Sequence, residues 1–421
     1  MATQRPILII GGGLSGLAAA RLLTNQGIPV IVFEQSEVDR SQGFGITVRD
    51  WAYNPLLEEL GNRISVRDFQ QAVATDGAVG GTGWVDLTFR HNGTGETLFN
   101  PDPPNPGQQN TIFRANRSFL RNWLAEGVDV RYQHKLESFE SEPGHVKVVF
   151  ENGTRQEGSM LVAADGVHST VRGIAFPERQ TLTILDVVLF HGKVKMSQSK
   201  YESVVSTGLG TSNVAAGVGD GFNTFITIAN AEKESVYLDW SYSRARQGEK
   251  DPLWMPDRAE LIKAPQHLLK EVRGRDLAPP FSSFVNADEI KKDKVYNWRI
   301  RSVYISRADL DQAAKRGVIF IGDSVHAMPI FGGEGGNHAM LDGVELFRTI
   351  KAKYGDKEAK FLRAGEVEAI VQAFYDATLQ RSQDAVRRCV QRFSTFHKPI
   401  RQWEKVAEMS KAKNSGNNSS Q

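Results

Sequence analysis

The chain has 421 residues, enough for one large domain or two interlocked domains with a sizeable core. Its 51 Lys and Arg residues nearly balance 49 Asp and Glu residues, which indicates no global attraction to nucleic acid or an anionic membrane. The single cysteine, Cys389, excludes an internal disulfide and a redox-active cysteine pair. No stretch approaches the roughly 20 apolar residues that cross a bilayer, so we expect a cytoplasmic protein.

The chain opens with a strand, a glycine turn, a helix, a second strand and an acid. A short apolar run at 7–10 precedes the turn Gly11 to Gly16, and a helical pattern follows over 17–23. A second apolar run, 28–33, ends on Glu34. This order and spacing form the βαβ fingerprint of a dinucleotide-binding site.

The glycines of this fingerprint each answer a physical need. Gly11 permits a tight turn, Gly13 lets backbone approach a pyrophosphate, and Gly16 lets helix and strand pack closely. N–H groups at the helix start favour phosphate, and Glu34 can accept hydrogen bonds from a ribose 2′-hydroxyl, which disfavours a 2′-phosphate there. The residues assigned to this site are Gly11, Gly13, Leu14, Ser15, Gly16 and Glu34. The motif alone does not separate NAD from FAD.

Short elements joined by glycine and proline turns follow as far as residue 178. After the glycine-rich segment 41–49 we predict a helix at 56–60, strands at 84–89, 97–99 and 111–114, a helix at 117–124, and strands at 128–132, 135–139, 146–150 and 154–161. The proline-dense stretch 101–107 predicts an irregular loop. The last strand ends in a small acidic turn, Ala164 to Gly166.

The pattern changes over residues 180–305, where strand-like stretches alternate with polar loops. We predict strands at 182–189, 223–228, 235–242 and 295–305, with one helix near 259–272, hence a mainly β domain. A buried strand at 317–321, a helix at 337–351 and an amphipathic helix at 367–393 follow. The polar, low-complexity tail predicts disorder.

The fold class that follows is α/β with two domains, a Rossmann-like nucleotide domain and an inserted, mainly β domain. The predicted boundaries are 1–80, 115–178 and 306–356 for the nucleotide domain, 81–114 and 179–305 for the inserted domain, 357–410 for a C-terminal helical segment and 411–421 for a disordered tail. Basic residues on the helix 367–393 favour a solvated face, with weak peripheral membrane association left as the alternative.

Three further motifs accompany the glycine turn. Arg117 opens a short helix, Asp165-Gly166 begins a turn that continues to Arg172, and Gly322-Asp323 leads through several glycines to Asn337. In this order and at these separations the motifs resemble the group A flavoprotein monooxygenases, the single-component aromatic hydroxylases of the para-hydroxybenzoate hydroxylase fold, including fungal members of secondary metabolism. The resemblance covers most of the chain and implies non-covalent FAD rather than NAD.

The resemblance implies a role for each motif. Asp323 would accept hydrogen bonds from the ribityl hydroxyls, and Pro329 with the following glycines would let backbone approach the flavin ring. N–H groups at the helix start, contributed by Gly335, Gly336 and Asn337, would face the flavin N1–C2=O edge, where negative charge gathers on reduction.

Three more cofactor residues follow from the same resemblance. Arg117 would reach the ribityl–pyrophosphate region, and Asp165 would serve both FAD and the transient NAD(P)H. Gly45 lies in the segment that passes beside the flavin in relatives. Ser169 and Arg172 would fix the Asp165 turn rather than react, and no His or Cys spacing predicts a metal site.

The predicted catalytic residues lie in the inserted domain. Many members of the family carry a Tyr-Arg-Gly-like strand, and here the matching stretch is Phe190 to Val194, with His191 in place of the arginine. We take His191 and Lys193 as catalytic candidates. A lone histidine on a strand is also a common core or surface residue, and the departure from arginine puts phenolate binding in doubt.

The resemblance implies that NADPH or NADH reduces FAD, and that O2 then gives a flavin C4a-hydroperoxide. One oxygen atom would pass to an aromatic or polycyclic, polyketide- or alkaloid-like small molecule, by hydroxylation or epoxidation. The alternatives are an FAD-dependent dehydrogenase or oxidase of the same fold, and a non-catalytic FAD-binding scaffold. A halogenase is disfavoured because no tryptophan has a tryptophan partner two residues on. We expect a monomer or homodimer that binds no nucleic acid.

Overall fold

The computed structural model describes residues 5–38, 43–100, 111–142, 144–255, 261–354, 362 and 364–417. The proline-dense stretch 101–107 and residues 418–421, for which the sequence predicts a loop and disorder, lie outside the described residues. Within the described ranges, no helix combines the length and the apolar character that crossing a membrane requires.

The strands are short at the N-terminal end of the chain and longer in its middle part. In chain order they are β1 Ile7–Ile10, β2 Val30–Phe33, β3 Gly45–Arg49, β4 Phe89–His91, β5 Thr97–Phe99, β6 Ile112–Asn116, β7 Val130–Arg131, β8 Leu136–Glu142, β9 His145–Phe150, β10 Arg155–Gly158, β11 Met160–Ala163, β12 Leu182–Ile184, β13 Val187–Ser197, β14 Val214–Val218, β15 Phe222–Ala231, β16 Ser235–Ala245, β17 Leu261–Lys263, β18 Lys294–Asn297, β19 Arg301–Val303 and β20 Val318–Phe320.

The helices range from single turns to long C-terminal rods. They are α1 Leu14–Asn25, α2 Asp50–Glu59, α3 Val66–Val73, α4 Arg117–Ala125, α5 Thr170–Ala175, α6 Gln198–Val204, α7 Ser206–Leu209, α8 Gln266–Arg273, α9 Ala287–Ile290, α10 Arg307–Ala314, α11 Asp323–His326, α12 Gly335–Tyr354, α13 Ala364–Phe396 and α14 Ile400–Asn417.

A five-stranded parallel sheet organises the nucleotide-binding part, in the order β20-β11-β1-β2-β7. Every residue of β1 is buried, as expected for a central parallel strand covered on both faces. The carboxyl ends of β1, β11 and β20 are neighbours at one edge, so the turns after Ile10, Ala163 and Phe320 meet there. This edge brings three of the sequence motifs together.

An eight-stranded sheet forms the second layer, in the order β17-β18-β13-β16-β15-β14-β4-β5. Its long strands β13, β15 and β16 are antiparallel neighbours, and a separate hydrophobic core covers one face with Phe190, Trp240 and Phe281. On the opposite face, His191 and Lys193 of β13 and Asp239 of β16 lie near the β3 segment, residues 43–49. The mixed α/β fold class is confirmed.

Apart from shifted element ends and the division of the predicted strands 154–161 and 182–189, the structure differs from the predicted elements in four places. Trp84 forms only an isolated bridge, so the strand predicted from residue 84 begins at Phe89. The predicted helix near 259–272 is in part strand β17, because Pro265 starts the helix α8 instead. The predicted strand 295–305 is divided into β18 and β19.

The fourth difference is the C-terminal tail, which the sequence predicts to be disordered from residue 411. The structure continues α14 to Asn417. This helix buries Trp403 and Ala407, one turn apart, against Phe89 and Leu98 of the hairpin β4–β5.

Candidate active site

The glycine turn after β1 is fixed by close backbone contacts. Gly11 has a φ of +110°, and a Cβ there would lie 2.3 Å from the carbonyl oxygen of Ala164. At Gly16 a Cβ would lie 2.4 Å from the carbonyl oxygen of Gly11. Gly13 is different, because its nearest atom is Ala164 O at 3.9 Å. Gly11 and Gly16 are therefore needed for close backbone packing, whereas Gly13 leaves open space before the helix α1.

The carboxylate of Glu34 holds the turn from the end of β2. Its Oε2 accepts a hydrogen bond from the Gly12 N–H at 2.8 Å, and its Oε1 accepts from the N–H and hydroxyl of Ser36. Burial alone would raise the pKa of Glu34, but these hydrogen bonds and the nearby Arg121 lower it below its usual value. Glu34 is therefore an ionised acceptor at neutral pH, as a ribose partner must be.

The start of α1 is an open donor site. Gly13 caps it without a side-chain hydrogen bond, and the first turn contains no acidic residue. A Cβ on Gly322, which has a φ of +62°, would lie 2.6 Å from Ser15 Oγ, and one on Gly336 would lie 3.3 Å from Leu14 Cδ1. The structure thus brings the glycine turn, the turn after β20 and the start of α12 together.

Asp165 lies half-buried directly after β11. Its Oδ2 accepts a hydrogen bond from the Val171 N–H at 3.0 Å, while its buried Oδ1 has no hydrogen-bond partner among the described residues. Burial raises the pKa of Asp165. Ser169 caps α5, and the buried Arg172 donates to the carbonyls of Ser324 and Val167. These two side chains fix the turn and leave one carboxylate oxygen for an external donor.

Asp323 and Pro329 lie on the turns between β20 and α12. Asp323 begins α11 with its side chain exposed, whereas Pro329 is buried and precedes a short 3-10 turn. His326 points away from this edge, since its Nε2 lies 2.6 Å from Asp342 Oδ2 in the interior. Asp323 is therefore the accessible acid of the motif and His326 a buried structural partner.

Asn337 joins α12 to the β3 segment. Its Oδ1 accepts from the Arg49 N–H at 2.7 Å, and its amide donates to the carbonyl of Thr47 at 2.8 Å. Its own N–H donates to the Glu334 carbonyl, contrary to the expectation that it faces a ligand. Three residues were expected to present N–H groups at the start of α12. Within the described residues, the N–H groups of Gly335 and Gly336 have no acceptor, whereas that of Asn337 does. Asn337 is therefore a positioning residue.

The β3 segment is attached to the chain on both sides. Phe44 accepts a backbone hydrogen bond from Arg117, whose side chain is half-buried. The guanidinium of Arg114 on β6 donates to the carbonyl of Gly45 and to Thr47 Oγ1. A Cβ on Gly45 would lie 2.9 Å from that guanidinium and 3.1 Å from the carbonyl oxygen of Ile228, so a larger residue would have to displace the arginine side chain. Burial lowers the pKa of Arg114 to about 10.

His191 lies on the face of β13 that is turned towards Phe44. Its Nε2 is 3.6 Å from Oδ1 of Asp239 on β16, and each of these buried atoms lacks a hydrogen-bond partner. The ring stacks on Trp298 at 4.9 Å and contacts Phe44 edge-on at 5.0 Å. A histidine and a carboxylate thus face each other beside the aromatic rings of Phe44 and Trp298.

Lys193 shares this face because it follows His191 by two residues on the strand. Its side chain is exposed, and its ammonium lies 4.1 Å from the centroid of the Phe44 ring. Tyr296 completes the aromatic surface, since it pairs directly opposite His191. The two predicted catalytic residues are therefore close to the β3 segment.

Sequence reasoning missed several residues of this region. Arg114 and Asp239 are charges within apolar strands, a pattern that indicates a buried polar role. Arg121 follows Arg117 by one helical turn, and it donates to the carbonyl of Gly12 at 2.6 Å. Phe44 carried no signal beyond its neighbouring glycines, because its contacts come from distant strands.

These features fit FAD. The open space at Gly13 and the N–H groups at the start of α1 suit a pyrophosphate, and Glu34 suits a ribose. Asp323 and the unpartnered Oδ1 of Asp165 are acceptors for hydroxyl donors. Gly335 and Gly336 present donors to an electron-rich ring edge.

Comparisons with known proteins agree with this fit. The family model described as "FAD binding domain" matches residues 4–369. The chain is 47% identical to the FAD-dependent monooxygenase vrtH of Penicillium aethiopicum over 97% of both chains, and 46% identical to the FAD-dependent monooxygenase nscC of Aspergillus fumigatus over 97% of this chain and 99% of that one. Among solved structures, the 2,6-dihydroxypyridine-3-hydroxylase of Arthrobacter nicotinovorans has a TM-score of 0.70 at 18% identity, with 94% of this chain and 93% of that chain covered.

The solved structure supports the fold, and the fungal relatives, nearly half identical over almost the whole length, support the activity. The predicted cofactor and enzyme class are confirmed. The chain belongs to the FAD-dependent monooxygenases that carry this FAD binding domain.

Proposed function

We propose that this monooxygenase transfers one oxygen atom from O2 to an electron-rich carbon of an aromatic or polyketide- or alkaloid-like small molecule, with NADPH or NADH as the reductant. The observation that carries the proposal is the packing of Phe44 against His191 and Trp298. This packing joins the β3 segment, which would pass beside the flavin, to the aromatic face of the eight-stranded sheet. An aromatic substrate would find stacking partners and a proton acceptor on that face.

The cofactor contacts proposed are those that the turns after β1, β11 and β20 can supply. Glu34 would bind the adenosine ribose, the start of α1 the pyrophosphate, and Asp323 with Arg117 the ribityl region. Gly335 and Gly336 would donate to the flavin edge, with Pro329 and Gly45 beside the ring. When bound, FAD supplies the reduction and oxygen-transfer chemistry, and these residues orient it and exclude water.

His191 and Asp239 are proposed to handle the substrate proton. A carboxylate facing one ring nitrogen fixes the orientation of the imidazole, so the other ring nitrogen can accept a proton from a substrate hydroxyl. Removal of that proton makes the neighbouring ring carbon richer in electrons. In this scheme Asp239 is a positioning residue, and Lys193 supplies positive charge near the substrate oxygen.

The proposed division into domains follows the two cores. The eight-stranded sheet would form most of the substrate domain, 81–114 and 179–305, and the five-stranded sheet with its helices the FAD domain, while the pair β12–β19 of the inserted segment packs on the FAD-domain core through Leu182 and Val303. A cytoplasmic location, the absence of a nucleic-acid partner and a monomeric or homodimeric state stay predictions.

The test is a single-turnover reaction with isotopically labelled O2. The FAD-loaded protein is reduced with NADPH without air, mixed with a panel of hydroxylated aromatic compounds, and exposed to labelled O2. One labelled oxygen atom in the product supports the proposal. In a parallel reaction without NADPH, reduction of the oxidised flavin by the compound itself, with a desaturated product and one hydrogen peroxide per turnover after air is admitted, would support a dehydrogenase or oxidase instead.

A further inference from the structure

A cavity of about 400 Å³ lies where the end of β3 and the starts of α2 and α12 meet the long helix α13. Four arginines line it, Arg49, Arg381, Arg388 and Arg392, together with Glu334 and Trp51. We call it the arginine cavity. None of these residues belongs to the flavin or substrate contacts described above.

The cavity has a large excess of positive charge. Glu334, the carboxylate among the lining residues, pairs with both Arg388 and Arg392. The distance from Arg388 Nη2 to Glu334 Oε2 is 3.4 Å. Burial would raise the pKa of Glu334, but His338 and these arginines hold it at about 2, so it is ionised. Burial and the neighbouring Arg381 lower the pKa of His338. Four guanidinium groups thus line the cavity with one carboxylate, and a second carboxylate, Asp342, pairs with Arg381 from outside the lining.

The two arginines on Glu334 remain accessible to a ligand. The side chain of Arg388 is 50% exposed, and that of Arg392 is 41% exposed. Arg381 is anchored more deeply, since it donates to Asp342 Oδ1 and to His338 Nδ1 at 2.6 Å each. One inner arginine is therefore preorganised, while the two outer ones can turn towards an anion.

We propose that the arginine cavity binds phosphate groups of the dinucleotide reductant, an inference that rests on the proposed function. Guanidinium groups bind phosphate oxygens in a bidentate manner, and several of them together favour a ligand with several charges. Trp51 is 37% exposed and offers a face on which a base can stack. An aromatic substrate with one carboxylate fits less well. Apart from Trp51, the lining residues are charged or ionisable, so they offer little apolar surface to an aromatic ring.

The position of the cavity agrees with a reductant. Gly335 and Gly336, which present donors to the flavin edge, lie in the chain between two cavity residues, Glu334 and His338. Asn337 holds the backbone of Arg49 against the same helix start. A dinucleotide anchored by its phosphates would thus be held beside the flavin-binding turn.

Direct binding tests this inference without any organic substrate. Titration calorimetry with the FAD-loaded protein would measure Kd for 2′,5′-ADP and for inorganic pyrophosphate. The double variant Arg388→Ala/Arg392→Ala should bind both at least about tenfold more weakly. Arg387→Ala removes an equal charge from the same helix but does not line the cavity, so it should bind like the wild type. If the double variant misfolds, the single variant Arg388→Gln, at a half-exposed side chain, replaces it in the same titrations and should also bind both ligands more weakly than the wild type.

The kinetic counterpart is anaerobic flavin reduction. The NADPH concentration for half-maximal reduction rate should rise about tenfold in the double variant, with the limiting rate and the FAD content within twofold of the wild type. Equal Kd values for 2′,5′-ADP in the double variant and Arg387→Ala would overturn the proposal. Benzoate, titrated in the same way, is the probe for a substrate acid. Loss of benzoate binding in the double variant with retained 2′,5′-ADP binding would also overturn the proposal and assign the cavity to such an acid.

The two proposals fail in different ways. A wrong substrate class would leave the binding and reduction results unchanged, since neither uses an organic substrate. Normal 2′,5′-ADP binding to the wild type with no oxygenated product from any compound would count against the proposed function and leave the arginine cavity in place.

Discussion

The carboxylate of Glu34 accepts a hydrogen bond from the N–H of Gly12 at 2.8 Å, so one charged side chain joins the end of β2 to the glycine turn after β1. Arg121 lies 4.0 Å from the same oxygen and donates to the carbonyl of Gly12. The turn is thus fixed before a nucleotide binds, which reduces the ordering that binding requires.

The glycines of the turn separate packing from ligand binding. In Gly16→Ala the new methyl group would meet Gly11 O at 2.4 Å and Ala164 Cβ at 3.1 Å, so we expect a loss of about 1–3 kcal/mol in the free energy of unfolding. Gly13→Ala has room and an extended backbone, so its apo-protein should lose no more than about 1 kcal/mol. Its FAD affinity should nevertheless fall at least about tenfold. Chemical denaturation and flavin titration check both, and unchanged FAD affinity in Gly13→Ala would contradict the phosphate assignment.

Asp323→Ala should release FAD while the fold survives. The side chain is exposed, so its removal should change the free energy of unfolding by no more than about 0.5 kcal/mol. The FAD-to-protein ratio after gel filtration is the measurement. Asp293→Ala, at an exposed aspartate before β18, is the matched control and should keep FAD. A wild-type ratio in Asp323→Ala would remove this residue from the site.

His191→Ala should lower kcat by about 10²-fold, the size of effect expected when a group that takes the substrate proton is lost. Asp239→Asn should lower kcat less and shift the pH profile of the reaction, because it removes the carboxylate beside the imidazole, although it also removes the negative charge that acts on the buried Arg114. FAD content and the rate of reduction by NADPH should stay within twofold in both. Unchanged turnover in His191→Ala would exclude it from catalysis, and an unshifted pH profile in Asp239→Asn would exclude the positioning role.

The buried pair of His326 and Asp342 predicts a pH-dependent stability. Burial disfavours charge on His326, but Asp342 raises its pKa above 6.5, so the stabilisation is complete below about pH 6.5 and is lost as the pH rises through the folded-state pKa. Burial would raise the pKa of Asp342, but His326 and Arg381 lower it, so its contribution persists down to acidic pH.

The measurement is the difference in Tm between the wild type and His326→Gln as a function of pH. It should be largest between about pH 4 and 6.5 and smaller at pH 9. His267→Gln, at an exposed histidine on α8, should show no such trend. A difference that grows towards pH 9 would contradict the pair.

Local patterns were sufficient to predict the nucleotide-binding part of the fold. The apolar run of β1, the turn from Gly11 to Gly16 and the acid after β2 lie within a short stretch of chain, so spacing alone defines their geometry. Asp165 and Asp323 could be added only through the resemblance of their motifs to the family, and the structure places each shortly after a buried strand of the same parallel sheet.

The other side of the site depends on contacts that no local pattern records. Asp239 faces His191 only because β13 and β16 pair in one register, and Phe44 reaches Trp298 across the interface between the two sheets. The role of Asn337 also differed from expectation, because its side chain and its N–H are used within the protein. Such pairings follow from tertiary packing rather than from periodicity.

The most direct measurement is the visible spectrum of the purified protein before and after anaerobic addition of NADPH, followed by air, with and without candidate aromatic substrates. We predict flavin bands that bleach with NADPH and recover with air, with hydrogen peroxide formed when no substrate is present. A protein that shows no flavin bands even after incubation with FAD would contradict the account.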